Sequence, residues 1–343
     1  MINKESKILI TGATGLIGSH IARRLWKEGY HNICATKRPS SKMDLLPGIA
    51  DKLHWLEADV TDIVSLENCF EGVDVVIHVA AVVSYDPKKN DLMNDVNVGG
   101  TANMVNVALD YGVRRFVYIS SVAALGKPEK STVRNENTEW DHSVQTTDYA
   151  ISKYKSEKEA WRGYAEGLSL VILNPSFVIG ASNWTESSSR IWSQMAKGIP
   201  YYPMGTNGYV DVRDVSAAAL MAMNSDFNGE RFVLSAETIS YKIAFQWIAE
   251  AIGVKVPSRA LTPLLRNIAW RLEWLRSMLT GTSLLLTAAS AKSTAEETHY
   301  DSDKSREILG MTYRPLKQSI QVVGNIFVNS QKEGKDYGVM EVD

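Results

Sequence analysis

Residues 7–18 read Lys7-Ile8-Leu9-Ile10-Thr11-Gly12-Ala13-Thr14-Gly15-Leu16-Ile17-Gly18, an apolar run that passes through three evenly spaced glycines into a segment of helical period, 16–27. Gly12 permits a tight turn, Gly15 lets backbone approach a pyrophosphate, and Gly18 allows helix to pack closely on strand. Free amides and the positive helix end at residues 15–17 suit an anion. The spacing is Gly-x-x-Gly-x-x-Gly rather than Gly-x-Gly-x-x-Gly. Its position, ending a first strand and opening a first helix, nevertheless predicts a dinucleotide cradle built from Thr11, Gly12, Gly15, Leu16, Ile17 and Gly18.

Outward from this loop the chain alternates. Short apolar runs at 7–11, 32–36, 53–57, 73–79, 116–120 and 169–173 are separated by helical patterns such as 16–27 and 92–111. Continuous apolar strands between helices predict a parallel sheet buried on both faces, wound right-handed into a doubly wound α/β (Rossmann) fold. After residue 174 the pattern loosens, with helical pieces at 212–223, 240–252 and 262–279. The expected organisation is a dinucleotide-binding domain over 1–174, joined by parts of 205–235, and a smaller mixed substrate lobe over 175–330. A polar tail, 331–343, is expected to fray.

The 343 residues carry 37 Lys+Arg against 39 Asp+Glu, a formal charge of −2, so no basic surplus supports nucleic-acid binding. Two cysteines, Cys34 and Cys69, sit in apolar runs and fit a reducing compartment. No signal peptide opens the chain, and the apolar stretch 277–291 is shorter than the ~20 residues of a membrane span. The expectation is a cytoplasmic protein acting on a small molecule.

Cofactor choice turns on the end of the second strand. Ala35-Thr36-Lys37-Arg38-Pro39 lacks the acid that grips the ribose hydroxyls of NAD, and Arg38, with Lys37, offers a fork for a 2′-phosphate. NADP is favoured over NAD. Asp59-Val60 follows the third strand, where the carboxylate would reach the adenine amino group or simply cap a helix. His78-Val79-Ala80-Ala81 ends the fourth strand with small residues where backbone must pass the cofactor.

A Tyr-x-x-x-Lys pair puts phenol and ammonium one helical turn apart, a proton-exchanging couple for a carbonyl or alcohol. The chain holds four: Tyr85/Lys89, Tyr149/Lys153, Tyr154/Lys158 and Tyr300/Lys304. Asp86-Pro87 breaks the first, Tyr154 is turned away from the face of Tyr149, and Tyr300 is remote in sequence from the sheet. Tyr149 opens a helix, after a strand ending in Ser120-Ser121 at the carboxyl edge where such folds bind ligands. Ser121, Tyr149 and Lys153 are the predicted catalytic set.

Together, the glycine loop, Ser120-Ser121, Tyr149-x-x-x-Lys153 and Asn174-Pro175-Ser176-Phe177-Val178-Ile179-Gly180 resemble the extended short-chain dehydrogenase/reductase family over about residues 5–325. The resemblance implies a nicotinamide cofactor, a Ser-Tyr-Lys relay, Ile119 and Ser120 beside the cofactor, and Pro175, Ser176, Phe177 and Val178 near the nicotinamide. It also implies a homodimer paired through the helices 92–111 and 149–164. Ser121-Val122-Ala123 stands where sugar-nucleotide dehydratases carry Thr-Asp-Glu. Tyr209-Val210-Asp211-Val212-Arg213-Asp214-Val215 resembles dihydroflavonol-reductase-like and hydroxysteroid-dehydrogenase-like members. The implied activity is reduction of a carbonyl on an apolar or ring-containing molecule; the alternatives are a nucleotide-sugar epimerase with bound NAD and a non-catalytic dinucleotide sensor.

Other features have readings of their own. Leu261, Leu264, Leu265, Ile268, Leu272, Leu275 and Leu279, with Arg266, Arg271 and Arg276 among them, form a helical stripe expected to cover the core of the substrate lobe, with a lid or membrane-surface helix as alternatives. Trp184, Trp192, Met195, Tyr201 and Tyr202 are expected either to line a substrate pocket or to pack. His78 and His142 lack the paired spacing of a metal site, so no metal is assigned. Asp211 and Asp214 flank Arg213, which suggests a structural ion pair.

Overall fold

The structure, a computed structural model, describes residues 2–127, 131–141, 146–280 and 287–342. His142 and part of the apolar stretch 277–291 lie outside the described residues.

Ten strands carry the argument: β1 Ile8–Thr11, β2 Ile33–Lys37, β3 His54–Glu57, β4 Val75–His78, β5 Arg115–Ile119, β6 Leu170–Pro175, β7 Phe177–Ile179, β8 Thr206–Asp211, β9 Glu230–Leu234 and β10 Glu237–Ser240. Seven form one parallel sheet in the order β9-β6-β5-β4-β1-β2-β3. The order reverses between β1 and β4, and a crevice opens at their carboxyl ends. The longer helices are α1 Leu16–Lys27, α2 Gly100–Asp110, α3 Asp148–Ala165, α4 Val212–Asn224, α5 Tyr241–Ile252, α6 Pro263–Thr280 and α7 Leu316–Lys332.

Alternation along the strands explains why they read as unbroken apolar runs. Ile8, Ile10, Val75, Ile77, Val117 and Ile119 face one core with α1 and α4. Leu9, Val76, Phe116 and Tyr118 face the other, with α2 and α3. Helices cover both faces, so the middles of these strands are apolar and the buried polar residues Thr11, His78 and Asn174 stand toward their carboxyl ends. β9, returning from the C-terminal half, closes the sheet edge beside β6. A smaller sheet, β7-β8-β10, runs alongside, with β8 parallel to β7 and antiparallel to β10.

Three expectations are corrected and one open alternative is decided. The helix expected over 92–111 is interrupted: residues Asn94–Gly99 make a wider π-type turn before α2. The turn rotates Asn97 toward the loop after β4, where its amide donates to Val82 O at 2.9 Å and its Oδ1 accepts from Val82 N at 2.7 Å. Trp184, Trp192 and Met195 belong to the core rather than a pocket. The Leu264–Leu279 stripe faces outward, because α6 packs through the opposite side, where Ser277 is its buried residue. The segment after α7 does not fray: Tyr337 bridges to Asn183, Arg23 donates to Met340 O, and Met340 is buried.

Candidate active site

Two of the three glycines in the loop, Gly12 and Gly18, have a steric reason to be glycine. Gly12 adopts φ +68°, and a Cβ there would sit 2.8 Å from Ala80 N. A Cβ on Gly18 would sit 2.2 Å from Gly12 O. Gly15 is the residue before α1, whose start has no side-chain cap and no acid in its first turn. The helix-end amides therefore remain available to an anion. The cradle thus fits a dinucleotide pyrophosphate.

A cavity of about 960 Å³ runs from this cradle across the carboxyl edge of the sheet. Gly12, Gly15, Leu16, Ile17, Gly18, Lys37, Arg38, Asp59, Val60, Val79, Ala80, Ala81, Ile119, Ser120, Ser121, Tyr149, Lys153, Pro175, Ser176, Phe177 and Val178 all line it. Thr11 does not. It is wholly buried, and its hydroxyl accepts from Val79 N and Ala80 N at 3.1 and 3.2 Å while meeting His78 Nδ1 at 2.7 Å. Thr11 thus ties β1 to the turn after β4, which shapes the cradle floor. His78 Nε2 meets Thr101 Oγ1 at 3.2 Å, and burial, with Lys153 nearby, lowers its pKa to about 3. This neutral imidazole is a structural bridge, and no metal-ligand cluster occurs among the described residues.

At the adenosine end, Arg38 is exposed, and its guanidinium has no carboxylate partner among the described residues. Asp59 is not the cap of the next helix. That role falls to Asp62, which accepts from Val64 N, while Asp59 Oδ1 accepts from Thr61 N and Oγ1 at 2.9 and 2.8 Å.

Around the catalytic candidates, Thr147 caps α3 through Ala150 N, which sets Tyr149 in the first turn. Lys153, one turn on, is buried. Its ammonium donates to Tyr118 Oη at 2.9 Å and to Ile119 O at 3.2 Å. Burial alone would lower the pKa of this amine, but the phenols of Tyr118 and Tyr149, and Glu157 beyond them, outweigh it and hold Lys153 above the ordinary lysine value. Ser121 Oγ accepts from Ala123 N at 3.1 Å and caps a short turn.

A layer beneath these residues escaped the sequence reading. Glu157, buried on α3, accepts from Ser120 Oγ at 2.7 Å, Asn174 Nδ2 at 2.8 Å and Arg231 at 2.8 Å. Asn174 Nδ2 also donates to Ser121 O at 3.0 Å. This carboxylate locks the ends of β5, β6 and β9 against α3. The available signal was weak: an acid one helical turn past Lys153, on a face whose other residues are Ala, Ser and Gly. Ser176 Oγ, by contrast, is buried with no partner among the described residues and borders the cavity, as an oxygen awaiting a ligand donor or acceptor would.

The far end of the cavity is aromatic: Tyr85, Trp140, Tyr209, Tyr241, Phe245 and Tyr300. Tyr300, set aside on sequence distance, is therefore in the site, although its Lys304 pairs with Glu230 instead. The Tyr85 and Tyr149 rings meet edge-on at 6.2 Å. Burial holds the phenols of Tyr209, Tyr241 and Tyr300 above the usual tyrosine value, so these rings stay uncharged, while Lys127, Arg134, Lys292 and Glu296 also line the cavity. Tyr201 and Tyr202 lie outside it. Asp211 does pair with Arg213 at 2.7 Å, whereas Asp214 is taken by Arg314.

Comparison with known proteins agrees with this geometry. Residues 8–235 match the sequence profile of the NAD dependent epimerase/dehydratase family. The chain is 30% identical to a Synechocystis sp. protein provisionally named a dihydroflavonol 4-reductase, over 93% of this chain and 94% of that one. It is 34% identical to cinnamoyl-CoA reductase 1 of Oryza sativa subsp. japonica, over 64% of this chain and 68% of that one. The crystal structure of gox2253 superposes with a TM-score of 0.82 at 27% identity, covering 96% of this chain and 99% of that one. The chain belongs to the NAD dependent epimerase/dehydratase family, on the extended short-chain dehydrogenase/reductase plan.

Proposed function

We propose that this protein is an NADP-dependent oxidoreductase that reduces a ketone or aldehyde carbonyl on an apolar or ring-containing small molecule, or oxidises the matching alcohol. The observation that carries the reading is the continuity of one cavity from the glycine cradle, past Ser121, Tyr149 and Lys153, to an end rich in aromatic side chains. When bound, the dinucleotide supplies or accepts the hydride at the substrate carbon.

The protein's own groups handle the oxygen. Ser121 Oγ donates to the carbonyl oxygen and holds it in place. The Tyr149 hydroxyl gives that oxygen its proton as the carbon receives hydride, which yields the alcohol. The buried Lys153 ammonium stabilises the charge left on the phenol, and solvent then restores the proton. Arg38 at the cavity mouth supports NADP, and relatives named as reductases support the direction.

NADPH oxidation is to be followed across aldehydes, ketosteroids, flavonoid ketones and nucleotide sugars, with Tyr149→Phe beside the parent. General acid catalysis contributes about 10²–10⁴-fold, and turnover should fall by that factor with NADPH affinity unchanged. An unimpaired Tyr149→Phe enzyme overturns the relay. Interconversion of UDP-sugars without net NADPH loss replaces the reductase with an epimerase.

A further inference from the structure

The helix α6, Pro263–Thr280, is built inside out. Leu264, Ile268, Leu272, Leu275 and Leu279 lie along one side and are 71, 45, 61, 41 and 74% exposed. Trp274 and Met278 flank them at 53 and 60%. The side turned to the protein carries Arg266, Trp270, Glu273 and Ser277, all more covered than the leucines. A stripe of this kind ordinarily turns to a core. Cations are in excess around it: between residues 255 and 280 stand Lys255, Arg259, Arg266, Arg271 and Arg276 against one carboxylate, Glu273, and of these Arg271 and Arg276 border the stripe on α6. Glu273 is already bonded to Arg276. Among the described residues, Arg271 bonds only the carbonyl of Asn267 on its own helix, and it stacks over the Trp270 ring at 4.5 Å.

We propose that α6 docks this protein onto an anionic lipid surface, lying in the bilayer interface with its leucines buried among acyl chains. An 18-residue helix is about 27 Å long, and a strip about 10 Å wide on it covers about 270 Å². That is far below the about 800 Å² per partner of a stable protein interface, so a second copy of this chain is a poor occupant. Exposed leucines, a bordering tryptophan and an excess of arginine match what an interfacial helix needs: apolar depth, an amphipathic ring at headgroup level, and cations for anionic headgroups. No helix among the described residues is long and apolar enough to cross a membrane, so this is attachment to one face.

Attachment has a consequence for the site. α6 packs on the short helix Ala288–Ser293, whose Ala289, Ser290, Lys292 and Ser293 border the aromatic end of the cavity. A lipophilic substrate dissolved in the bilayer would thus enter close to where it reacts. This consequence rests on the reductase reading; the lipid binding does not.

The test is flotation of the full chain, without substrate, on vesicles of phosphatidylcholine alone or mixed with phosphatidylserine. The protein should rise with the anionic vesicles at low salt and detach as salt screens the charge. Arg271→Glu should weaken binding at least about fivefold. The double variant Leu264→Asp, Leu272→Asp should stay at the bottom with its melting temperature and NADPH affinity unchanged, since both side chains lie in solvent. Failure of the parent to rise with either vesicle, equal rise with both, or a double variant that floats like the parent each overturns the proposal. So does a parent that ignores vesicles but is a dimer which the double variant splits.

Discussion

The hydroxyl of Ser120 donates to the Glu157 carboxylate across 2.7 Å, and that carboxylate also accepts from Asn174 and Arg231, which ties the strands beneath Tyr149 and Lys153 together. One anion here serves a hydroxyl, an amide and a guanidinium from three different strands. Its burial is tolerated because Arg231 neutralises it and the other donors occupy its remaining lone pairs.

Glu157→Ala should therefore be costly. It leaves the Arg231 guanidinium, the Ser120 hydroxyl and the Asn174 amide facing a void. Breaking a buried pair costs about 3–5 kcal/mol, and Arg231 keeps some solvent contact, so a loss of about 3 kcal/mol in urea unfolding is expected. Glu157→Gln should recover part of the stability and little of the activity, because an amide cannot accept from all three donors at once. A stable, fully active Glu157→Ala enzyme would contradict the network's role.

The glycine loop separates folding from binding. Gly18→Ala puts a methyl 2.2 Å from backbone Gly12 O, which no rotamer can relieve, so loss of folded protein is expected. Gly15 has φ −90°, and a Cβ there meets only Gly12 O at 3.4 Å. Gly15→Ala should fold with a near-parental melting curve yet bind NADPH at least tenfold more weakly, as the methyl stands where phosphate oxygens approach the amides. Dinucleotide titration beside thermal melting reads both effects.

Much of this was legible because periodicity is local. α1 falls where a 3.6-residue pattern follows the second glycine, Gly15, and the parallel strands fall where apolar runs leave no room for a polar face. The network around Glu157 was not legible. Its partners lie 17, 37 and 74 residues away, and a glutamate on a helix reads as a solvated side chain. The same limit explains α6. A leucine stripe announces that one side of the helix is apolar, and nothing local says whether that side turns inward. The break in the helix before α2 depends on Asn97 reaching the loop after β4, a tertiary contact that overrides propensity.

Acid sensitivity should trace in part to His78. Its folded pKa, about 3, lies below the unfolded value near 6.5, so the unfolded chain binds the extra proton. The stability this neutral ring contributes is complete above about pH 6.5 and declines as pH falls toward 3, by up to about 1.4 kcal/mol per pH unit. His78→Asn removes the titration and the Thr11 bond together. It should be less stable than the parent at pH 7, with the gap narrowing as pH drops to 4. A gap independent of pH in urea titrations would show that His78 does not titrate on unfolding.

The proposal of NADP rests on the position of Arg38. Its backbone N–H donates to Ser41 Oγ at 3.0 Å, which fixes the turn after β2, while the guanidinium extends to the cavity mouth with no carboxylate in range among the described residues. A 2′-phosphate there would gain a charge-assisted fork that a 2′-hydroxyl cannot use. Hydrogen bonds to charged groups contribute about 1.5–3 kcal/mol, so Arg38→Ala should weaken NADPH binding by about 10–100-fold. NADH affinity should change less than twofold, because nothing else in the cradle is disturbed. The neighbouring Lys37 ammonium sits 5.9 Å over the Trp55 ring and is less free to compensate. Equal losses for the two dinucleotides would assign Arg38 a general rather than a phosphate-reading role, and the site would then be read as one for NAD.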